Sequence, residues 1–426
     1  MRVLVVGQGG REHAIASKLA RNPTVDRLFA APGNAGLADV ATCEPIAAAD
    51  VPGIADFAER ESVDLTVVGP EAPLVAGLVD ELEARGLPAF GPSRAAARIE
   101  GSKAWAKDLC RKHGIPAPAS EVFSDYRQAR DYLDGLEAPV VVKADGLAAG
   151  KGVTVAEDLA VADRALQVCL VDRVFGEAGA RVLVEEFLAG QEVSAIAITD
   201  GRDVVPLAPA QDFKRAGDDD TGPNTGGMGA YSPVPFVDEK QQAEIVTEIL
   251  QATVRAMEAE GVRYRGALYA GLMLTDRGPM VLEFNCRLGD PETQAILPRL
   301  DSDLGELLLA AVEGNLGGHR VSWRPDSCVT VVLASGGYPG NHRTGFEVSG
   351  LEAAAGEKDV EVFHAGTVRK DGRVVTAGGR VLAVSALGKD PAEARDRAYA
   401  AASLISFEGM HYRRDIAAAV AGAKIG

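Results

Sequence analysis

What this sequence has little of narrows it first. Its five cysteines, at 43, 110, 169, 286 and 328, stand singly, with no Cys-x-x-Cys pair and no even framework. That excludes a disulfide scaffold and reads as reduced thiols in a cytoplasmic protein, with packing as their default role. No run of 18 apolar residues occurs, so no membrane-spanning helix is expected. The opening MRVLVVGQGG enters a strand-like run directly, without the basic region, apolar stretch and cleavage site of a secretory leader. Basic residues are the minority, 44 against 61 acidic ones, for a formal net charge of -17 and a pI near 4.9. An acidic surface of this kind excludes broad binding to nucleic acid or anionic membranes, though a few local cations and backbone amides still suffice to hold a phosphate. The P-loop pattern GxxxxGK[ST] is missing, and so are internal repeats and low-complexity tracts.

What is present is enough apolar material for several cores: 426 residues, 47% hydrophobic and 25% charged, predict two to four soluble domains. In the first hundred residues Arg2–Val6 and Leu65–Val68 read as strands, Arg27–Ala31 and Pro88–Phe90 as weaker ones, with helical stretches Arg11–Arg21 and Ala72–Arg85 between them. Strands alternating with helices predict a doubly wound parallel sheet, an α/β unit. Its loops Gly7–Gly10, Pro32–Gly36 and Gly69–Glu71 fall at the carboxyl ends of strands, where such sheets hold ligands. Beyond Gly101 follow a helix Lys103–His113, a glycine-rich turn within Val140–Gly152, strands Arg181–Leu188 and Glu192–Thr199, and a long loop Gln211–Pro235 expected to bind ligand. A helix Glu239–Glu260 and strands Ala267–Thr275 and Met280–Asn285 complete this part. The last hundred residues predict strands Ser327–Ala334 and Arg380–Ser385, a hairpin Val368–Val375 turning at Asp371-Gly372, a helix Pro391–Ile405 and a final helix in the alanine-rich tail.

Four segments carry chemistry. Gly7-Gln8-Gly9-Gly10-Arg11-Glu12-His13 leaves a strand and opens a helix, so its amides suit an anion; Glu12 stands where a dinucleotide fingerprint needs its third glycine. A single phosphate is expected there, held at Gly9 and Gly10 with Arg11 as a forked partner. Lys143 ends a run of three valines, and an unpaired ammonium on an apolar strand is costly, so it predicts an anionic partner. Gly146, Gly150 and Gly152 around Lys151 form a turn able to fold over nucleotide phosphates. Glu185-Glu186-Phe187-Leu188 ends another apolar strand, with Glu192 close behind, a segment suited to adenine and ribose. The sharpest signal is Glu283-Phe284-Asn285-Cys286-Arg287. With a period of two, Glu283 and Asn285 share one strand face, and two oxygen donors there suit a hard cation bound also by phosphate oxygens. Arg287 extends that face if the strand persists.

Together these segments resemble the ATP-grasp ligases, and more narrowly the glycinamide ribonucleotide synthetase family. The match runs through GQGGREHA, APGNAG, VGPEAPL, GSKAWAK, KADGLAAGKGV, DTGPNTGGMGAYSP, EFNCRLGDPETQ and ASGGYPG in order. The resemblance implies an N-terminal domain over 1–103, ATP-grasp α+β subdomains over 104–325 with a lid about 122–190, and a small C-terminal α/β domain over 326–426. It implies Lys103 and Lys143 on the nucleotide phosphates, beside Gly150 and Gly152, and Glu185, Glu186, Phe187, Leu188 and Glu192 around adenosine. It also implies Mg²⁺ or Mn²⁺ at Glu283 and Asn285, phosphoribosylamine at Gly9, Gly10, Arg11, Asn34 and Glu71, and glycine and its acyl phosphate at Asp212 and Arg287, with Lys143 assisting. Two positions depart from the family pattern: Phe213 stands where many members have histidine, and Tyr269–Thr275 carries no acidic metal ligand.

The implied activity joins glycine to 5-phosphoribosylamine through glycyl phosphate, releasing ADP and phosphate in purine biosynthesis. The expected partners are small molecules only, in a monomer or small homo-oligomer. Another ATP-grasp ligase would share Lys143 and Glu283 but lack the GGREH and PGNAG combination; a non-catalytic nucleotide sensor has no need of the metal face; a dehydrogenase is opposed by Glu12.

Overall fold

The computed structural model describes residues 1–147 and 152–422. Its N-terminal sheet comprises β1 (Arg2–Gly7), β2 (Arg27–Pro32), β3 (Thr42–Cys43), β4 (Leu65–Val68) and β5 (Ala89–Phe90). All pairings are parallel, in the order β3-β2-β1-β4-β5. Parallel strands linked by helices are covered on both faces, which is why Val3, Leu4, Val5 and Val6 are all fully buried rather than alternating. The predicted helix Ala72–Arg85 is two, Glu71–Ala76 and Leu78–Ala84. Gly77 breaks it with a φ of +90°, a conformation that glycine adopts without Cβ strain.

A second sheet is wholly antiparallel: β6 (Ser120–Phe123), β7 (Val140–Ala144), β8 (Val153–Ala156) and β9 (Val182–Glu186), ordered β6-β9-β7-β8. Two helices, Tyr126–Leu133 and Leu159–Leu166, pack on it. Its apolar core, built from Ala129, Leu133, Val142, Leu166, Val184 and their neighbours, draws only on residues 123–184. This unit therefore has a core of its own. Gly150 and Lys151 of the glycine-rich turn lie outside the described residues.

Next come β10 (Gln191–Thr199) and β11 (Val204–Pro206). The stretch expected as an irregular loop, 211–235, is instead largely paired: β12 (Gln211–Asp212), a ribbon of β13 (Arg215–Gly217) and β14 (Thr221–Asn224), and β15 (Gly229–Ser232). Its glycine, asparagine and proline content hid the pairing, because each strand is short and bounded by turns. A helical run from Glu239 to Ala259, with a wider π turn at Ile245–Leu250, leads to β16 (Gly266–Thr275) and β17 (Gly278–Asn285), and the third sheet is ordered β11-β10-β16-β17.

The C-terminal part adds β18 (Ser327–Ala334), β19 (Val360–His364), β20 (Thr367–Lys370), β21 (Arg373–Thr376) and β22 (Arg380–Gly388). β20 and β21 form the expected hairpin, with Asp371 and Gly372 both at positive φ as a tight two-residue turn requires. The larger sheet is ordered β12-β15-β18-β22-β19, so strands from the middle of the chain complete the C-terminal sheet. The predicted last helix is not formed among the described residues; a 3₁₀ turn at Ala418–Val420 stands in its place. No helix in the described residues is long and apolar enough to cross a membrane.

The N- and C-terminal units meet at a buried histidine pair. The His364 amide donates to His13 Nδ1 at 2.7 Å, and the rings stand 5.6 Å apart. Burial, aided by His364, pushes His13 down to about 3, and burial pushes His364 down to about 4. Both groups are neutral when folded and take protons more readily when unfolded, so their contribution is complete above pH 6.5 and is lost as pH falls below it. Lowering the pH from 7.5 to 5.5 is expected to reduce the unfolding free energy by about 2–3 kcal/mol through these two groups. Urea titrations at both pH values check this; a His13→Gln/His364→Gln variant with the same pH slope would assign the dependence to other residues.

Candidate functional site

A cleft of about 1340 Å³ opens between the self-contained sheet β6–β9, the β10-β16-β17 face, the β13–β14 ribbon and the C-terminal loop holding Tyr338 and His342. It is the junction of four structural parts, and it is large enough for a nucleotide beside smaller substrates.

One wall is β17. Glu283 lies opposite Gly271 and Asn285 opposite Tyr269 in the ladder, two residues apart, so both line the cleft as the strand period predicts. Gly271 gives the carboxylate room: a Cβ there would sit 3.2 Å from Glu283 Cγ. Among the described residues Glu283 is half-buried and has neither an ion-pair nor a hydrogen-bond partner. Asn285 Oδ1 accepts one long bond, from Arg287 Nη2 at 3.4 Å. No cluster of three acidic, histidine or cysteine ligands exists among the described residues, and β16 contributes Tyr269 rather than an acid. The donor set is thus one unpartnered carboxylate and one amide oxygen, which fits a hard divalent cation whose remaining ligands are phosphate and water oxygens.

Below this wall the ladder slips at Leu282, leaving its carbonyl free to accept from Lys143 Nζ at 2.9 Å. Lys143 also pairs with Glu185 at 2.8 Å. A second buried lysine, Lys107, donates to the Val281 carbonyl at 3.0 Å and stands 3.4 Å from the same carboxylate. Burial lowers Lys107 to about 8, with Glu185 opposing that shift and Lys143 adding to it. Burial opposes ionisation of Glu185, yet the two lysines hold it below the ordinary carboxylate range. The triad thus keeps two cations at the cleft floor with one compensating charge. Lys103 begins the helix Lys103–His113, capped by Ser102, and its ammonium donates to Gly146 O at 3.2 Å. Asp145 fastens the start of that helix to the end of β7 by accepting from the Ala104 amide and Ser102 Oγ. Gly152, Glu186, Phe187 and Leu188 line the same end of the cleft; Phe187 is exposed and Glu186 pairs with Arg277.

The opposite end is built around Arg287. Its guanidinium meets Glu71 at 3.2 Å and Glu100 at 3.1 Å, and Glu100 also accepts the Cys286 amide. The strand stops at Asn285, so Arg287 reaches the cleft from the turn that follows. Cys286 is fully buried, and burial pushes its thiol well up, so its place in the motif is one of packing. Nearby, Lys214 bridges Asp212 at 2.7 Å and Glu192 at 2.8 Å. Burial, with the fields of Glu292 and Glu192, pushes the Asp212 carboxyl up to about 7 against the pull of Lys214. Glu292, buried, accepts from Ser194 and Tyr269 hydroxyls at 2.9 Å each.

The N-terminal glycine loop is filled from within. Glu12 takes the Gly9 amide at 2.5 Å and pairs with Arg11 at 2.6 Å. A Cβ at Gly7, Gly9 or Gly69 would collide with its side chain, so these glycines make room for a carboxylate in the crevice where a dinucleotide fold would take its phosphates. Arg11 and Glu71 line the cleft; Gly9, Gly10 and Asn34 do not, with Asn34 donating to Gln8 and His364 carbonyls and accepting from the Gly36 and Leu37 amides. The structure thus gathers Lys103, Lys143, Gly152, Glu185–Leu188, Glu192, Asp212, Glu283, Asn285 and Arg287 on one cleft. Sequence reasoning missed five further residues that line the same cleft: Lys107, one helical turn after Lys103, Lys214, two residues after Asp212, and Glu100, Glu292 and Arg380. The first was legible from helical periodicity.

Models of one family match nearly the whole chain: Phosphoribosylglycinamide synthetase N domain over 1–100, ATP-grasp (A) domain over 101–293 and C domain over 328–419. The chain is 53% identical to the phosphoribosylamine–glycine ligase of Allochromatium vinosum, with 98% of both chains covered. It is 51% identical to that of Escherichia coli O157:H7, over 98% of both. The crystal structure of phosphoribosylamine–glycine ligase from Thermotoga maritima superposes with a TM-score of 0.85 at 36% identity, covering 98% of this chain and all of that one. A biotin carboxylase domain from Hydrogenobacter thermophilus shares the fold, with a TM-score of 0.75 at 15% identity, 96% of this chain and 91% of that one being covered.

Proposed function

Given that the chain belongs to the phosphoribosylglycinamide synthetase family and is an ATP-grasp ligase joining glycine to phosphoribosylamine, we propose the following division of its cleft. ATP lies along the β7–β9 side, phosphates toward Lys103, Lys143 and Gly152, adenosine against Glu185–Leu188 and Glu192. Glu283 and Asn285 hold Mg²⁺ or Mn²⁺, which when bound neutralises triphosphate oxygens. Glycine sits between Arg287 and Asp212, and phosphoribosylamine beyond it, at Arg11 and Glu71 with Gly9, Gly10 and Asn34.

The observation carrying this reading is the pairing on β17 of an unpartnered carboxylate with an amide oxygen, flanked by lysines on one side and Arg287 on the other. Arg287 orients the glycine carboxylate toward the γ-phosphorus, and Lys143 steadies the charge that moves onto the phosphate oxygens. A carboxylate oxygen forms the new bond to phosphorus, and the bond to ADP breaks. The amine of phosphoribosylamine then adds to the acyl carbon and phosphate leaves. Asp212, with its carboxyl near 7, is placed to take the amine's proton at neutral pH. The β6–β9 sheet, with its private core, is the lid that keeps water from the acyl phosphate. The chain acts on small molecules only, as a monomer or small homo-oligomer in the cytoplasm.

The test follows an oxygen. Glycine labelled with ¹⁸O in its carboxylate is expected to transfer one labelled atom per turnover to inorganic phosphate, read by mass spectrometry. Unlabelled phosphate alongside normal amide product would refute glycyl phosphate.

A further inference from the structure

The C-terminal segment 411–415 lies far from the β17 wall in sequence, yet it grips the ribbon that follows Asp212 and Lys214. Arg413 is the centre of that grip. Its guanidinium is 1% exposed, forks onto Asp415 at 2.8 and 2.6 Å, meets Asp220 at 2.7 Å and donates to the Arg215 carbonyl at 3.2 Å. Its face stacks 5.0 Å from the Phe213 ring centre. Around it, the Arg414 amide donates to Asp218 at 2.7 Å, the Asp219 amide to Asp415 at 3.0 Å, and His411 Nε2 lies 2.7 Å from the Ala216 carbonyl. Phe213 is thus the flat surface on which the clamp seats, between Asp212 and Lys214 at the cleft.

Desolvating an arginine is costly unless its donors are all used. Here Nη1 is used on the β13–β14 ribbon, at Asp220 and the Arg215 carbonyl, while Nε and Nη2 fork onto Asp415, which itself accepts from the Asp219 amide in the turn of that ribbon. We propose that Arg413 is a positioning residue for the substrate end of the cleft, setting Asp212 and Lys214 through Phe213 and the ribbon, and that this is a task of the C-terminal unit in catalysis. The inference rests on the placement of Asp212 beside glycine given above.

The experiment compares Arg413→Met, Arg413→Lys and Asp212→Asn in the full chain. Arg413→Met is expected to lower kcat/KM for glycine by about tenfold or more, since small misplacements of reacting groups carry costs of that size, while calorimetric ATP affinity stays within about twofold. Amide exchange should quicken across 215–224 but not across β7–β9. Arg413→Lys keeps the charge without the fork and should recover only part of the loss. A folded Arg413→Met with unchanged glycine kinetics, or with equal losses for ATP and glycine, overturns the proposal. Should that variant fail to fold, Asp220→Asn replaces it: the Asp220 side chain is 71% exposed and touches the clamp only through Arg413. It is expected to raise the glycine KM about threefold, and no change would be equally decisive. If Asp212→Asn leaves glycine kinetics intact, the placement of Asp212 is wrong and the inference falls with it; if Asp212→Asn impairs them and the clamp variants do not, only the inference falls.

Discussion

Glu283→Gln is expected to lower turnover on the order of a hundredfold to a thousandfold, with the chain as stable as before or slightly more so. The two effects separate because of what surrounds the side chain. A half-buried carboxylate without a partner among the described residues is held at a cost in the absence of ligand. Glutamine keeps its shape, and its Cγ still fits over Gly271. What is lost is the charge that would bind a divalent cation beside the triphosphate. Asn285→Ala removes the second oxygen and should behave alike. Turnover, the urea midpoint without ligand, and Mn²⁺ affinity in the presence of a non-hydrolysable ATP analogue are measured together. Near-normal turnover at ordinary Mg²⁺ concentrations would place the cation elsewhere.

Arg287→Met is expected to fail on both counts. Glu71 and Glu100 would lose their shared counter-ion. Burial disfavours the ionised form of Glu71, and it is the fields of Arg287 and then Arg11 that hold it below the ordinary carboxylate range. Glu100 is buried and already committed to the Cys286 amide. Stripping the partner from a buried ion pair costs about 3–5 kcal/mol, and partial exposure of Glu71 reduces this to about 2–4 kcal/mol here. Activity should fall by at least about a hundredfold, with the glycine KM rising most. A double variant, Arg287→Met with Glu100→Gln, should regain stability without regaining activity. Recovery of activity in that variant would show Arg287 to be a purely architectural residue.

Much of this was legible in the sequence, for physical reasons that differ by element. The parallel sheet announced itself through runs such as Val3–Val6, because strands buried on both faces have nothing to alternate. The β17 face was legible because a period of two needs only two residues and one strand. Arg287 was placed on that face by assuming the strand continues; it stops at Asn285, and tertiary contacts with Glu71 and Glu100 bring the guanidinium to the cleft instead. The ribbon at 215–224 was hidden, since its strands are three and four residues long and it is held at Asp220 and the Arg215 carbonyl by Arg413, some 190 residues later in the chain. Glu100 was invisible for a similar reason: it is an ordinary charged residue on a helix until the neighbouring sheet is known. The glycine loop at 7–10 was read as an opening for a phosphate, whereas at least part of the space at Gly7 and Gly9, and at Gly69 across from them, belongs to Glu12. Only the fold distinguishes a glycine that admits a ligand from one that admits a neighbour.

The sheet order β12-β15-β18-β22-β19 has a consequence for how the molecule can be made and cut. A chain still emerging from the ribosome has already produced β12 and β15 when β18, about a hundred residues on, does not yet exist, so those two strands wait with an open side. The reverse holds for a fragment beginning near residue 326. It would carry β18 with eight consecutive fully covered positions and no neighbour on one side, a long apolar edge of the kind that recruits other chains. The boundary that sequence comparison draws between the middle and last parts is therefore not a seam along which this protein comes apart; the covalent order and the order of assembly differ.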